Sequence, residues 1–253
     1  MKWRKTRIFL DLILIIIVIF ISIESNKNVN AICVNLYEHP IYSVDIEEKA
    51  ISLTFDINWA EKDNLQSILQ ILNKYNVKGT FFIMGGWVDY SSENVEKLKK
   101  IKEGGHEIGN HSYKHPDFAK ISELKIEEQL KKTDETIENN IGEKTKLFRF
   151  PSGSYNKQAI QKVKSLGYIP IQWNADSVDW KELGQESEYN RVMKGVAPGA
   201  IVLFHNNAKY TPNNLERIIK ELKTQGYEFK TVGNLIYSDE YYIDENGIQH
   251  KNK

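Results

Sequence analysis

AISLTF, residues Ala50–Phe55, is an almost unbroken apolar and β-branched run and predicts a strand buried on both faces. Asp56 follows it directly. The period then changes. In NLQSILQILNKY, Asn64–Tyr75, Leu65, Ile68, Leu69 and Leu72 recur at helical spacing. TFFIM, Thr80–Met84, is a second strand closed by Gly85 and Gly86, and the helix through Val95, Leu98 and Ile101 stops at Gly104 and Gly105. A short strand is expected near His106–Gly109. A long charged helix over Ile121–Asn140 ends at Gly142, a strand follows at Leu147–Phe150, and a helix at Lys157–Ser165 ends at Gly167. Strands are expected again at Tyr168–Trp173, at Ala200–Phe204 and at Tyr227–Lys230, with a helix over Asn213–Thr224 between the last two. Strands alternating with helices argue a parallel α/β fold, and periodicity alone does not choose between an open sheet and a closed barrel.

In such folds the functional groups sit at the carboxyl ends of strands. Asp56 follows the first strand, His111 and His115 the third, and Arg149 lies at the fourth; Asp176 and Asp179 follow the fifth, and His205 follows AIVLF. A lone aspartate after a strand is most simply a cap or turn residue. Titratable groups after several strands point instead to one reactive site. The four-residue spacing of His111 and His115 brings two imidazoles to one side of a helical turn, where they could share a metal such as zinc with an oxygen ligand. A bound metal could polarise an acyl carbonyl while a carboxylate accepts the proton of water and an imidazolium protonates a leaving amine. Asp56 and His205 are suited to those last two tasks.

The ordered motifs TFDINW (Thr54–Trp59), HSYKH (His111–His115), RFPSGSYN (Arg149–Asn156), DSVDW (Asp176–Trp180) and LFHN (Leu203–Asn206) resemble those of the polysaccharide deacetylases, carbohydrate esterase family four with the NodB-homology domain. The first motif is most similar to the sporulation-associated PdaB-type subgroup. The resemblance implies a distorted (β/α) barrel and a metal-dependent site that removes N-acetyl groups from amino sugars of peptidoglycan or a related cell-wall polysaccharide. It implies Asp56 as catalytic base, His205 as general acid, Asp179 as the carboxylate that orients that histidine, and Arg149 as the group that borders the groove and holds the base or a nearby carboxylate. His111 and His115 are implied as ligands of a divalent metal, Zn2+ or alternatively Co2+ or Mn2+. The backbone N–H of Ser152 would bind the oxyanion, and Trp180 would help wall the acetyl pocket; Trp59 and Trp180, because they adjoin the proposed chemistry, are also expected to line the substrate groove. The chain departs from the family pattern at Ile57, where a second aspartate usually supplies the third ligand; Asn58, Asp56 itself or water would have to fill that place. It departs again at Ser152, where an aromatic residue is usual. Ile57 keeps a second function open: a catalytically weak or inactive glycan-binding or morphogenetic protein that retains the deacetylase fold.

The flanks carry different signals. Ile8–Ile23 is apolar but for Asp11 and Ser22, and it follows Lys2, Arg4, Lys5 and Arg7, which predicts a signal anchor or signal peptide over residues 1–24 with the cationic end inside. Residues 25–49 are expected to be a juxtamembrane linker and lead-in, residues 50–236 the catalytic domain, and residues 237–253 a polar tail. The chain is therefore expected outside the cytoplasm, held to the membrane by its N-terminal segment. A single cysteine excludes an internal disulfide, so stability must come from a core. The 34 Lys plus Arg cancel the 34 Asp plus Glu; with residues 1–24 set aside, 30 cations face 32 acids, a net charge of minus two. That balance, with no phosphate-binding loop, argues against nucleic acid or nucleotide as a partner, and the partner the family resemblance implies is an N-acetylated cell-wall glycan.

Overall fold

The computed structural model describes residues 39–252, so the expected signal segment and the first part of the expected linker lie outside the described residues. No helix among the described residues is long and apolar enough to cross a membrane. The chain runs through β1 (Ser43–Val44), β2 (Ala50–Ile57), α1 (Leu65–Lys74), β3 (Thr80–Ile83), α2 (Gly85–Val88), α3 (Ser92–Glu103), β4 (Glu107–Asn110) and α4 (Glu123–Ile141). It continues through β5 (Leu147–Phe148), α5 (Lys157–Ser165), β6 (Ile169–Pro170), β7 (Ala175–Asp176), α6 (Gln185–Gly195), β8 (Ile201–His205), α7 (Thr211–Thr224), β9 (Glu228–Phe229), α8 (Val232–Leu235), β10 (Tyr241–Ile243) and β11 (Ile248–Lys251).

Every residue of β2 is buried, as befits a central strand covered on both faces. Its two-residue period separates packing from chemistry. Ile51, Leu53, Phe55 and Ile57 join the large apolar cluster with Leu65, Ile68 and Leu72 of α1 and Leu215, Ile218 and Leu222 of α7. Ser52, Thr54 and Asp56 alternate with them and are also buried. The main sheet has the order β6-β5-β4-β3-β2-β8-β7, with β9 also paired to β2, and all its pairings are parallel. It curls into the distorted (β/α) barrel, open between β6 and β7. The register Asp56↔His205 and Ile83↔Asn110 aligns the carboxyl ends of β2, β8, β3 and β4, and that rim carries the site.

Two expected boundaries move. Residues 39–49 and 237–251, read from sequence as part of a linker and as a polar tail, are built into the same compact unit as the barrel. β1 pairs in parallel with β11, which forms an antiparallel hairpin with β10. Ile41 bridges Ile171 beside β6, and Ser43 bridges Ala200 before β8, so the lead-in reaches between segments on opposite sides of the sheet's opening. Val44 and Ile243 are buried there, and Gln249 is inaccessible, with its amide bonded to both backbone groups of Tyr237. Gly199 makes the seam possible: its φ is +78°, and an added Cβ would lie 1.7 Å from the Val44 carbonyl oxygen. The strand expected over Tyr168–Trp173 is confined to Ile169–Pro170, while β7 and α6 form in a stretch assigned no element from sequence.

Candidate active site

Asp56 ends the polar face of β2 and is 4% exposed. Its Oδ1 accepts a hydrogen bond of 2.9 Å from Arg149 Nη1, which also donates to Thr54 Oγ1 at 2.7 Å, and Arg149 Nη2 donates to the Gln172 carbonyl. Arg149 is wholly buried, with its guanidinium 4.1 Å above the Phe82 ring and 5.4 Å from that of Trp173. A buried cation is tolerated there because carboxylate, hydroxyl and carbonyl acceptors meet its planar fork. Burial works to raise the Asp56 pKa, but the neighbouring charges of His111, Arg149 and His205, with the hydrogen bond from Arg149, hold the carboxyl below its ordinary value. Asp56 Oδ2 stays outside the Arg149 bond and lies 3.6 Å from His111 Nε2.

His111 and His115 meet, with ring centroids 5.0 Å apart, but not on a helical turn. The helix expectation gives way to a loop. Ser112 and His115 take φ of +68° and +56°, and Pro116 disfavours helix at His115. Side chains brace the loop: Asn110 Oδ1 accepts from the Ser112 N–H, Ser112 Oγ from the His115 N–H, and Gln129 Oε1 from the Lys114 N–H. His111 Nδ1 sits 3.0 Å from the Arg149 carbonyl oxygen, so in the neutral ring Nδ1 carries the proton and Nε2 the lone pair. That Nε2 is buried and has no hydrogen-bond partner. Burial pushes His111 down to about 4, against the pull of Asp56, and burial also lowers His115.

The opposite side of the cavity is built for the reverse protonation state. His205 Nδ1 is 2.7 Å from Asp179 Oδ1, while Asp179 Oδ2 accepts from the His205 N–H at 2.8 Å and from Thr211 Oγ1 at 2.6 Å. Burial lowers the His205 pKa, but the hydrogen bond and charge of Asp179, with Asp56 and Asp176 behind it, more than offset burial and raise it. Asp179 reaches this position through Val178, a β-branched residue at φ +54°, whose N–H is held by Asp176 Oδ1 at 2.8 Å. Such a conformation costs about 1–3 kcal/mol and is retained where surroundings over-determine it.

Asp56, Asn58, His115, Ser152, Asp176 and His205 line one cavity of about 400 Å³, walled by Trp173, Trp180, Leu203 and Asn207. Ser152 sits at its edge with φ +53°, and the hydrogen bonds of its tight turn start from Gly153 and Ser154 rather than from its own N–H. Trp180 is 59% exposed at the mouth. Trp59 lines a neighbouring cavity and is absent from this one. Sequence reasoning gave Trp173 no role in the site, yet the structure gives it both a place in the wall and a contact with Arg149. It also passed over Asn206, which is buried and clamps the two strand ends by accepting from the Asn58 N–H and donating to the Asn58 carbonyl and Asp63 Oδ1. Its place in LFHN, directly after His205, was the available signal.

The donor set can be tested against a divalent metal. The unpartnered His111 Nε2, fixed as an acceptor, and the neighbouring neutral His115 suit a cation. Asn58 Oδ1 is a second buried atom without a partner. Among the described residues, however, no group of three His, Cys, Asp or Glu side chains is placed to hold a metal. Ile57 explains the gap: it is fully buried in the apolar cluster shared with α1, on the strand face opposite Asp56. The residues fit a two-histidine cation site that needs a neutral oxygen or a shared Asp56 to complete it.

A curled parallel barrel thus carries an aspartate–arginine pair and an aspartate–histidine pair at one rim cavity. The chain belongs to the polysaccharide deacetylase family, whose model matches residues 43–171. It is 38% identical over 202 residues to the uncharacterized protein YlxY of Bacillus subtilis, covering 80% of this chain and 62% of YlxY. It is 32% identical over 220 residues to the peptidoglycan-N-acetylmuramic acid deacetylase PdaA of the same organism, covering 85% of this chain and 81% of PdaA. Among solved structures it resembles BA3943 of Bacillus anthracis, a CE4 family pseudoenzyme, with a TM-score of 0.73 and 34% identity over 85% of this chain and 74% of that one. A mutant of BA3943 has restored enzymatic activity.

Proposed function

We propose that the chain is a hydrolase that removes N-acetyl groups from amino sugars of peptidoglycan or a related cell-wall polysaccharide. One observation carries this reading: a carboxylate held deprotonated by Arg149 and an imidazole held protonated by Asp179 face the same cavity. The Asp56 oxygen left free by Arg149 takes a proton from the attacking water. The water oxygen adds to the acetyl carbon, and the C–N bond breaks as the His205 imidazolium gives its proton to the departing nitrogen, leaving acetate and a free amine. The Ser152 N–H orients the acetyl oxygen, and Trp180, Trp173 and Leu203 exclude bulk water from the acetyl group. A divalent metal held by His111 and His115, Zn2+ in the first place and Co2+ or Mn2+ as alternatives, would polarise the acyl group and acidify water when bound.

Acetate release from N-acetylglucosamine oligomers and from peptidoglycan tests the reading. A folded, metal-supplemented sample that releases none refutes it. A second reading is favoured by Ile57, which replaces a ligand with core packing, and by the likeness to a CE4 pseudoenzyme: a glycan-binding or morphogenetic protein without turnover. It predicts saturable polymer binding with no acetate. We further place the domain outside the cytoplasm, held to the membrane by residues 1–24, in support of which stand the cationic cluster and the apolar run behind it. Protease accessibility in intact cells checks the side of the membrane. The resemblance of TFDINW to the sporulation-associated subgroup supports a role in spore formation, which the timing of expression tests.

A further inference from the structure

The turn that presents Ser152 is braced from behind. Ser152 and Gly153 take φ of +53° and +65°. Glycine reaches that region without steric cost, whereas a serine keeps it only where its surroundings over-determine it. Within the turn the Gly153 N–H bonds the Phe150 carbonyl and the Ser154 N–H the Pro151 carbonyl, and Ser154 Oγ donates to Asp117 Oδ1. Two further side chains grip it from the lead-in side. Gln172 Nε2 donates to the Gly153 carbonyl at 3.1 Å, and the Tyr42 hydroxyl bonds that of Tyr155 at 2.7 Å. Neither Tyr42 nor Gln172 lines the cavity of Asp56 and His205, and neither falls in the five motifs.

Both grips are anchored in the segments that flank the barrel. Gln172 is buried; its N–H donates to the Ile41 carbonyl at 2.7 Å, and its carbonyl accepts from Arg149 Nη2. Only the donor end of its amide is used, because Oε1 is buried with no partner. An orphaned acceptor costs stability, so an apolar side chain would serve packing better, and the N–H is what the position supplies. Tyr42 is fixed by the turn between β10 and β11: its N–H donates to the Gly247 carbonyl at 2.8 Å, and a Cβ on Gly247 would lie 2.3 Å from its ring. The lead-in and the C-terminal hairpin thereby reach the Ser152 turn.

We propose that Tyr42 and Gln172 are positioning residues that aim the Ser152 N–H at the acetyl oxygen, which makes the lead-in and the C-terminal hairpin part of the working site. The proposal rests on the hydrolase reading above. Steady-state acetate release from N-acetylglucosamine oligomers by the full, metal-supplemented chain tests it, with amide hydrogen exchange of residues 149–156 followed by mass spectrometry. An oxyanion donor acts in the transition state, so Gln172→Met and Tyr42→Phe are each expected to lower kcat by about tenfold or more, with KM within about twofold of wild type and the unfolding midpoint held. Exchange at Gly153 and Ser154 should quicken in both. Tyr237→Phe removes a comparable hydroxyl bond to the lead-in, at 3.0 Å from the Asp45 carbonyl, and is expected to leave kcat and exchange unchanged. A wild-type chain that releases no acetate overturns the hydrolase reading and the positioning role together. An active wild-type chain whose Gln172 and Tyr42 variants keep kcat within about twofold, lose it only in step with the folded fraction, or lose no more than Tyr237→Phe overturns the positioning role alone.

Discussion

Replacing Arg149 by Met removes the cation under Asp56 while keeping most of the buried stem volume. Both side chains are almost inaccessible, at 0% and 5%, so the carboxylate is left uncompensated in the interior. Breaking a buried pair in this way costs about 3–5 kcal/mol. For a domain of this size about 2–4 °C accompanies each kcal/mol, so the midpoint of thermal unfolding should fall by roughly 6–20 °C. The sign of the pH dependence is a sharper check. In the wild-type chain the Asp56 pKa lies below its ordinary 3.8, so its contribution is present above that value and is lost as pH falls through the folded pKa. Without Arg149 one of the influences that lower it is lost, burial weighs more heavily against the remaining pull of His111 and His205, and the folded pKa rises, so the stability contributed by ionised Asp56 shrinks above the carboxyl range. The stability gap between the two proteins should therefore be widest near neutrality and narrow toward pH 4. Urea unfolding followed by circular dichroism across that range measures it. A gap below about 1 kcal/mol at neutral pH, or one independent of pH, would refute the assignment of Arg149 as the cation that keeps Asp56 ionised.

His205→Ala should lower the rate of acetate release by about 10²–10⁴-fold with unfolding unchanged to within the cost of one trimmed ring, whereas His111→Ala should lower both turnover and Zn2+ affinity by calorimetry. Ile57→Asp places a carboxylate in the cluster with Leu65 and Trp87 and should cost about 3 kcal/mol or more in the absence of metal, with Zn2+ recovering part of the loss in a thermal-shift titration; a loss that Zn2+ leaves untouched would show that position 57 is out of reach of the histidines. Glu188 is pushed up to about 7 by burial, so its ionisation destabilises the fold as pH rises from the ordinary carboxyl range through 7; Glu188→Gln should gain stability relative to wild type at pH 8 more than at pH 5, by on the order of 1 kcal/mol in chemical denaturation.

The convergence of the candidate site residues was legible because strand ends in a parallel sheet converge whatever the intervening loops do. Asp56 and His205 are register partners on neighbouring strands, and Arg149 lies one residue past β5. The geometry of His111 and His115 was not legible in their spacing, since Asn110 and Ser112 side chains wrap the segment into a loop. The barrel core was visible in long apolar runs, but β7 is two residues long and carries no periodic signal. α6 buries only Glu188, Tyr189 and Val192, too narrow a stripe to stand out among charged neighbours. The β1–β11–β10 sheet escaped notice for a related reason: its strands are short and mix polar with apolar residues, and two of them are more than 190 positions apart in the chain. Trp59 was placed by adjacency to Asp56, yet beyond the last residue of β2 chain adjacency no longer fixes which cavity a side chain enters.

Mass spectrometry of a chitotetraose time course, run on the metal-saturated wild-type chain beside its His205→Ala variant, reads the proposed chemistry without intermediaries. The account predicts successive loss of acetyl groups from intact oligomers by the wild-type protein and a collapse of that rate in the variant. Oligomers that bind and remain fully acetylated with the wild-type protein would contradict it and leave the deacetylase fold as a glycan receptor.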